Sequence, residues 1–272
     1  MARLADYPEY VSAATQEVDP FGFDIDTVAR VAPALGFLYQ DWWKVDLTGI
    51  EFLPKSGPAL IVGNTGGVLP GPALMLLYAL MTTKKNPRRL SILADMDWIE
   101  DERLYTSLLG LGFVPWSSAN AKRLFAAGQT VAIFPEGTAG IAKPFSERYR
   151  LKPFDWTRLL PATEEGVPIH PMPTLGCDES VPVFANFEKL GRFLGLPAYP
   201  VTPFFPWLPF PLNLLSFPVS WKMRILKSSH YKVEDNRDDL ENAAKQNSSF
   251  VEGQIQAELN RLLRARVKGP SQ

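Results

Sequence analysis

Apolar and polar positions change period repeatedly along this chain. Val28, Val31, Ala32, Leu35, Leu38 and Tyr39 recur at three- and four-residue spacing. That spacing predicts a helix over 26–43, capped by Asp26 or Thr27 and closed by Trp42 and Trp43. Short β-rich runs then predict strands at 45–52, 59–62, 90–94, 112–115, 130–134 and 220–227, with an extended, proline-bearing segment at 167–175. Helices are expected between them, at 73–81, 104–111, 119–127 and 157–165. A charged helix over 240–267, with a break near Asn247, closes the chain. Strands alternating with helices predict an α/β fold: a mixed, mostly parallel sheet flanked by helices. The expected organisation is an arm and amphipathic helix over 1–43, one main domain over 44–230 and a helical tail over 231–272.

One turn stands out. The run 130–134 ends in Phe134-Pro135-Glu136-Gly137-Thr138, where Pro135 stops ladder pairing and Gly137 permits a tight turn or close ligand approach. Glu136 thus falls just past a strand end, and ligands of open α/β sheets bind at the carboxyl ends of their strands. Lys143, Arg148, Arg150 and Lys152 follow closely, enough positive charge to attract a phosphate. The plain alternative is a strand-end turn followed by a solvated charge run. Earlier, Asn64-Thr65-Gly66-Gly67 leads through Pro70 into a helix with Pro72 at its start, a second loop suited to an anion or to a tight connection.

A different pattern occupies 193–221. These 29 residues carry no charged side chain, seven prolines and eight aromatics, among them Phe193, Phe204, Phe205, Trp207, Phe210 and Phe217. The prolines forbid a continuous spanning helix. So much apolar surface fits a membrane surface, an acyl-chain pocket or a lid over the core. The helix at 26–43, with its terminal tryptophans, fits a membrane interface or simple packing on its own core.

Composition narrows the classes. Lys and Arg total 28 against 29 Asp and Glu, which argues against a general nucleic-acid binder. The single Cys177 rules out an intramolecular disulfide and a cysteine-based zinc site, and no metal site is expected. The N-terminus does not read as a signal peptide, so the expected location is cytoplasmic with a peripheral membrane contact.

Several blocks, in order and spacing, resemble the glycerolipid and lysophospholipid acyltransferases of the 1-acylglycerol-3-phosphate acyltransferase type. Glu136-Gly137-Thr138 resembles that family's acceptor-binding motif. Val167-Pro168-Ile169-His170-Pro171 is similar to its apolar motif, and Leu111-Gly112-Phe113-Val114 with Lys122-Arg123 to another block. The resemblance implies an acyl thioester donor, acyl-CoA or acyl carrier protein, and a lipid-alcohol acceptor. It assigns Glu136, Gly137 and Thr138 to the acceptor; Lys143, Arg148 and Arg150 join them on the strength of their charge alone.

The block that should carry the chemistry departs from the family. Members place a His after the Asn of the first loop as general base, with an Asp a few residues on to orient it. In this chain those positions hold Thr65 and Pro70, or Gly66 and Pro72 with a gap. None of the four is a base near neutral pH. Ala139 follows Glu-Gly-Thr where an Arg is usual. Candidate substitute bases are His170, whose plain reading is a buried His held by a backbone partner, Asp95 and Asp97, otherwise helix-capping or surface carboxylates, and His230, otherwise an exposed side chain; Cys177 is a possible nucleophile, although an unpaired Cys is most often a small core residue. Two functions follow: acyl transfer from a thioester to a glycerolipid or lipid alcohol by an atypical site, or an inactive lipid- or donor-binding carrier, sensor or scaffold. A structural subunit with an occluded cleft is the third.

Overall fold

The computed structural model describes residues 20–67, 70–83, 88–141, 143–187, 189, 191, 199–205, 207–208, 212, 215–228 and 237–267. The expected arm up to residue 19, His230, Phe193 and Phe210 lie outside the described residues.

At the centre is a five-stranded, wholly parallel sheet. Its strands are β2 (Ala59–Gly63), β3 (Leu90–Ala94), β4 (Phe113–Pro115), β5 (Thr130–Ile133) and β6 (Ile169–Met172), in the order β4-β3-β5-β2-β6. β2 and β5 are buried at every position, and both faces of the sheet are covered. Because side chains alternate across a strand, each strand feeds two cores. Ile61, Ile92, Ala132 and Met172 pack on one face. Leu60, Val62, Leu93, Val131, Ile133 and Ile169 pack on the other.

The first core is roofed by α1 (Ile25–Phe37) and α2 (Gly71–Thr82). α2 is apolar nearly all round, and ten of its residues are buried. Asp24, rather than Asp26 or Thr27, caps α1: its carboxylate accepts from the backbone N–H of Asp26 and of Thr27, each at 3.1 Å. The helical run then continues as a π-helical turn, Leu38–Trp42, so Trp43 is delivered inward. Trp43 stacks on Trp221 with ring centroids 4.3 Å apart.

That stack joins a second sheet of β1 (Asp46–Thr48), β10 (Lys222–Arg224) and β7 (Thr174–Leu175). The strand expected over 45–52 stops at Thr48. Gly49 takes φ 91°, and a Cβ there would lie 1.9 Å from Ile225 O, so the chain turns and Ile50–Phe52 becomes a 3-10 turn.

The second core is closed by α4 (Ser118–Ala126), α6 (Leu160–Glu164) and the long α8 (Arg237–Val267), while α3 (Glu102–Gly110) lies beside α1. The helix expected over 157–165 is divided into a 3-10 turn, Trp156–Arg158, and α6. Proline at 161 lacks the N–H that would continue the first turn, so a new helix starts there. α8 runs unbroken through Asn247, contrary to the expected break. Asn247 is buried; its Nδ2 donates to Thr163 Oγ1 at 3.0 Å, while its Oδ1 is buried without a partner. Val251, Ile255, Leu259 and Leu262 line the buried stripe of α8.

Ile255 is fully buried beneath the sheet. Ile255→Ala should lower the free energy of unfolding by about 2–5 kcal/mol, read by urea denaturation. A loss below about 1 kcal/mol would mean that α8 does not close this core.

Candidate functional site

β5 delivers Pro135 and Glu136 to the carboxyl edge of the sheet, and the turn is closed by the Gly137 N–H donating to Phe134 O at 3.2 Å. α5 (Gly137–Ile141) follows, with Gly137 at φ 55°. Glu136 points inward and its side chain is fully buried. Its Oε1 accepts from the Thr65 backbone N–H at 2.7 Å and its Oε2 from that of Lys152 at 2.8 Å. One carboxylate thereby ties three segments together. Gly140 lets this happen: a Cβ there would meet Thr65 Cβ at 2.7 Å and Glu136 Cβ at 2.8 Å.

Lys143 is buried as well. Its Nζ lies 3.4 Å from Asp178 Oδ2 and 4.0 Å from Glu136 Oε2. Asp178 sits in α7 (Cys177–Ser180), and its Oδ2 accepts from the Tyr149 N–H at 2.8 Å. Burial pushes the Glu136 carboxyl above its ordinary 4.5, while Lys143 and the two backbone donors pull it down. From outside, α8 holds the same 149–154 stretch: Gln256 accepts from Leu151 N at 3.0 Å and donates to Tyr149 O at 2.9 Å, and Glu252 accepts from Phe154 N at 3.1 Å.

Just after β2, the chain at Asn64 to Gly66 is packed tightly. Asn64 is buried and bonds both backbone groups of Thr174, donating to its O at 3.2 Å and accepting from its N at 2.7 Å. A Cβ on Gly66 would lie 1.9 Å from Cys177 Sγ, so no larger residue fits there in this packing. Thr65 Oγ1 is buried without a hydrogen-bond partner. Pro70 is exposed before α2, and Pro72 is buried in its first turn.

An open cleft of ≈ 280 Å³ is lined by the turn itself, Pro135 and Glu136 included, and by Pro153, Phe154 and Asp155. Gly137, Thr138 and Ala139 line it as well, together with Asp95 and Arg158. Neither Thr65, Gly66, Pro70 nor Pro72 lines it. A Cβ on Gly137 would meet nothing within 4 Å. Arg158 is the cation in this lining, and it is held on three sides. Its Nη2 bonds both oxygens of Asp95 at 2.8 and 2.9 Å, its Nε lies 3.5 Å from Asp155, and its guanidinium is 5.0 Å from the Trp116 ring centre.

The cations that follow the turn do not converge. Lys143 is enclosed between carboxylates, Arg148 folds over its own neighbour Phe145 at 4.4 Å, and Arg150 is exposed. Lys152 contributes its backbone N–H to Glu136 and its side chain to Glu147. Of the substitute bases, Asp95 is paired with Arg158 and Asp97 is exposed. His170 lies inside the sheet opposite Ile61, short of the strand end, with Nδ1 3.0 Å from Leu226 O. Cys177 is buried, and burial pushes its thiol well above its ordinary value, which disfavours the nucleophilic thiolate. Lys122 pairs with Glu164 at 2.8 Å. Sequence reasoning missed Asp178, Asp155 and Arg158. Asp178 carried the signal that singled out Glu136, a carboxylate just past a strand; Arg158 carried none.

No family model matches this chain. An uncharacterized protein of Mycobacterium leprae is 34% identical over 255 residues, 92% of this chain and 68% of that protein. One of Mycobacterium tuberculosis is 34% identical over 225 residues, 82% of this chain and 63% of that protein. The chain therefore spans less than two thirds of the length of the latter. The crystal structure of the 1-acyl-sn-glycerophosphate acyltransferase PlsC from Thermotoga maritima superimposes with a TM-score of 0.54, covering 94% of this chain and 87% of that one at 15% identity. That likeness is one of fold, and it matches the acyltransferase fold expected from the sequence.

Lys143→Met strands two buried carboxylates and should cost about 3–5 kcal/mol of stability. The pH dependence has a definite sign. A carboxyl whose folded value is raised favours folding below its ordinary 4.5, and that contribution is lost as pH rises through the raised value. Removing Lys143 raises it further. The deficit of the variant should therefore be larger near neutral pH than near 4.5, measured by urea denaturation at both; an equal deficit would show that Lys143 does not compensate Glu136.

Proposed function

The chain belongs to the family of these uncharacterized mycobacterial proteins, and from that premise we propose that it uses an acyltransferase fold to bind a glycerolipid or an acyl thioester without turning it over. The observation that carries this reading is the tight packing of Thr65 and Gly66 after β2. Acyl transfer by the family's route needs a base within hydrogen-bond reach of the acceptor hydroxyl. In the ungapped frame Thr65 takes the base position, and its hydroxyl is buried. In the gapped frame it falls on Gly66, where Cys177 leaves no room. Asp95 is engaged by Arg158, and His170 lies inside the sheet, which also favours binding over turnover.

The binding side is the Glu136 turn. Gly137 and Thr138 line the cleft and contact the acceptor portion of the lipid. Glu136 acts through them as a positioning residue, since both its oxygens are engaged by backbone N–H groups. Arg148 and Arg150, exposed on the following segment, contribute positive charge toward a phosphate at longer range, and Lys143 serves Glu136 and Asp178. The donor class is acyl-CoA or acyl carrier protein, and the role is that of a carrier, sensor or scaffold in lipid metabolism. Slow acyl transfer is the second reading, favoured by the fold shared with PlsC.

The experiment measures binding and turnover on the same protein. Lysophosphatidic acid binding is followed by calorimetry, and thiol release from acyl-CoA and acyl carrier protein is followed with lysolipids present. Binding without thiol release is expected. Gly137→Asn, which tolerates the left-handed backbone and projects into the cleft, should weaken binding at least about tenfold, equivalent to about 1.4 kcal/mol. Thiol release by the unmodified chain would establish the second reading. No binding of any lysolipid or donor would overturn both.

A further inference from the structure

The charges inside the cleft are not the ones that follow the Glu136 turn in sequence. Asp95 comes from the end of β3, and Asp155 and Arg158 come from the 3-10 turn ahead of α6 and the residue before it. Asp155 is fixed against the turn, because its backbone N–H donates to Pro135 O at 3.1 Å. Its Oδ1 accepts from the Thr157 N–H at 3.1 Å and from the Thr157 hydroxyl at 2.6 Å. Arg158 Nη2 holds both oxygens of Asp95, and Arg158 Nε lies 3.5 Å from Asp155 Oδ2. One guanidinium is therefore shared by two carboxylates. It is also the least accessible of the three: the Arg158 side chain is 14% exposed, against 45% for Asp95 and 47% for Asp155. What this cluster presents to the cleft is mainly carboxylate oxygen. The buried cluster has the same balance, since Glu136 and Asp178 share the one ammonium of Lys143.

We propose that the cleft selects a lipid head that carries free hydroxyls and no phosphate, as a monoacylglycerol does, over a phosphate monoester. The inference rests on the lipid-binding reading above and names the ligand class of that same site. A phosphate monoester brings about −1.5 to −2 charges at neutral pH. Among the described lining residues, the cation it would meet is Arg158, already shared by Asp95 and Asp155. Bringing the phosphate in places like charges side by side, which is costly where solvent is reduced. A hydroxyl meets no such penalty. A carboxylate is an acceptor only, with about four lone-pair sites, so Asp95 keeps sites beyond the two that Arg158 uses. A cationic head is less suited, because Arg158 already stands between the two carboxylates. Arg148 and Arg150 do not line the cleft, so they attract an anion from outside without pairing with it inside. Asp95 and Asp155 thus determine specificity, and Arg158 is the positioning residue that holds them.

The test compares two ligands with the same acyl chain, monolauroylglycerol and lauroyl lysophosphatidic acid, by calorimetry on the full chain. The native chain should bind the first at least about tenfold more tightly. Asp95→Asn combined with Asp155→Asn keeps the side-chain shapes and the acceptor for Thr157 while removing both charges from Arg158. In that variant the preference should move toward lysophosphatidic acid by at least about tenfold. The reading is a ratio of two affinities on one preparation, so a smaller folded fraction does not imitate the shift. The native ratio is decisive on its own, which keeps the proposal testable even if the double variant does not fold. A native chain that binds lysophosphatidic acid as tightly as monolauroylglycerol, or more tightly, overturns the inference and leaves the binding reading standing. A ratio that the double substitution leaves unchanged does the same. Binding of neither lipid also overturns the inference, and binding of the acyl thioesters then decides the reading on which it rests.

Discussion

Everything at the carboxyl edge of the sheet depends on where the Glu136 carboxylate points. It points inward, and both oxygens accept backbone N–H groups, from Thr65 on one side and Lys152 on the other. Such charge-assisted bonds are roughly twice as strong as neutral ones, but the carboxylate must first leave water. Lys143, lodged between Glu136 and Asp178, offsets part of that cost. Asp178 then repeats the device on Tyr149, and α8 grips the same stretch from outside through Gln256 and Glu252. The turn, the loop after β2 and the 149–154 stretch are thus one unit held by buried polar groups. Removing any one of them leaves a donor or an ion unpaired in a place water does not reach.

This unit separates two properties that a catalytic site needs together. It keeps an open cleft beside Gly137 and Thr138. It also closes the loop where a general base would stand, with Gly66 pressed on Cys177 and Asn64 bonded to Thr174. A scaffold that preserves the first and fills the second is suited to holding a ligand.

The sheet was legible because a short, β-rich apolar run is a local property. The runs at 59–62, 90–94 and 130–134 became β2, β3 and β5 almost residue for residue. Errors fell where a distant contact decides a local outcome. Gly49 ends β1 because Ile225 O stands against it, and Asn247 stays within α8 because Thr163 accepts its amide proton. At the site, sequence located the Glu136 turn through its strand-end position. It gave no indication that Lys143 would turn inward while Arg148 and Arg150 stayed outside, since all three are cations in one short run. Arg158 was invisible for a related reason: its partners Asp95 and Trp116 come from other strand ends.

The most direct test of the inward-facing carboxylate is hydrogen exchange at the Thr65 and Lys152 amides, with and without lysophosphatidic acid. If Glu136 is a tether, both amides exchange only through global unfolding, and ligand leaves that protection in place. If Glu136 instead turns to meet the ligand, both amides lose protection together when ligand is added, and that loss would contradict the tether.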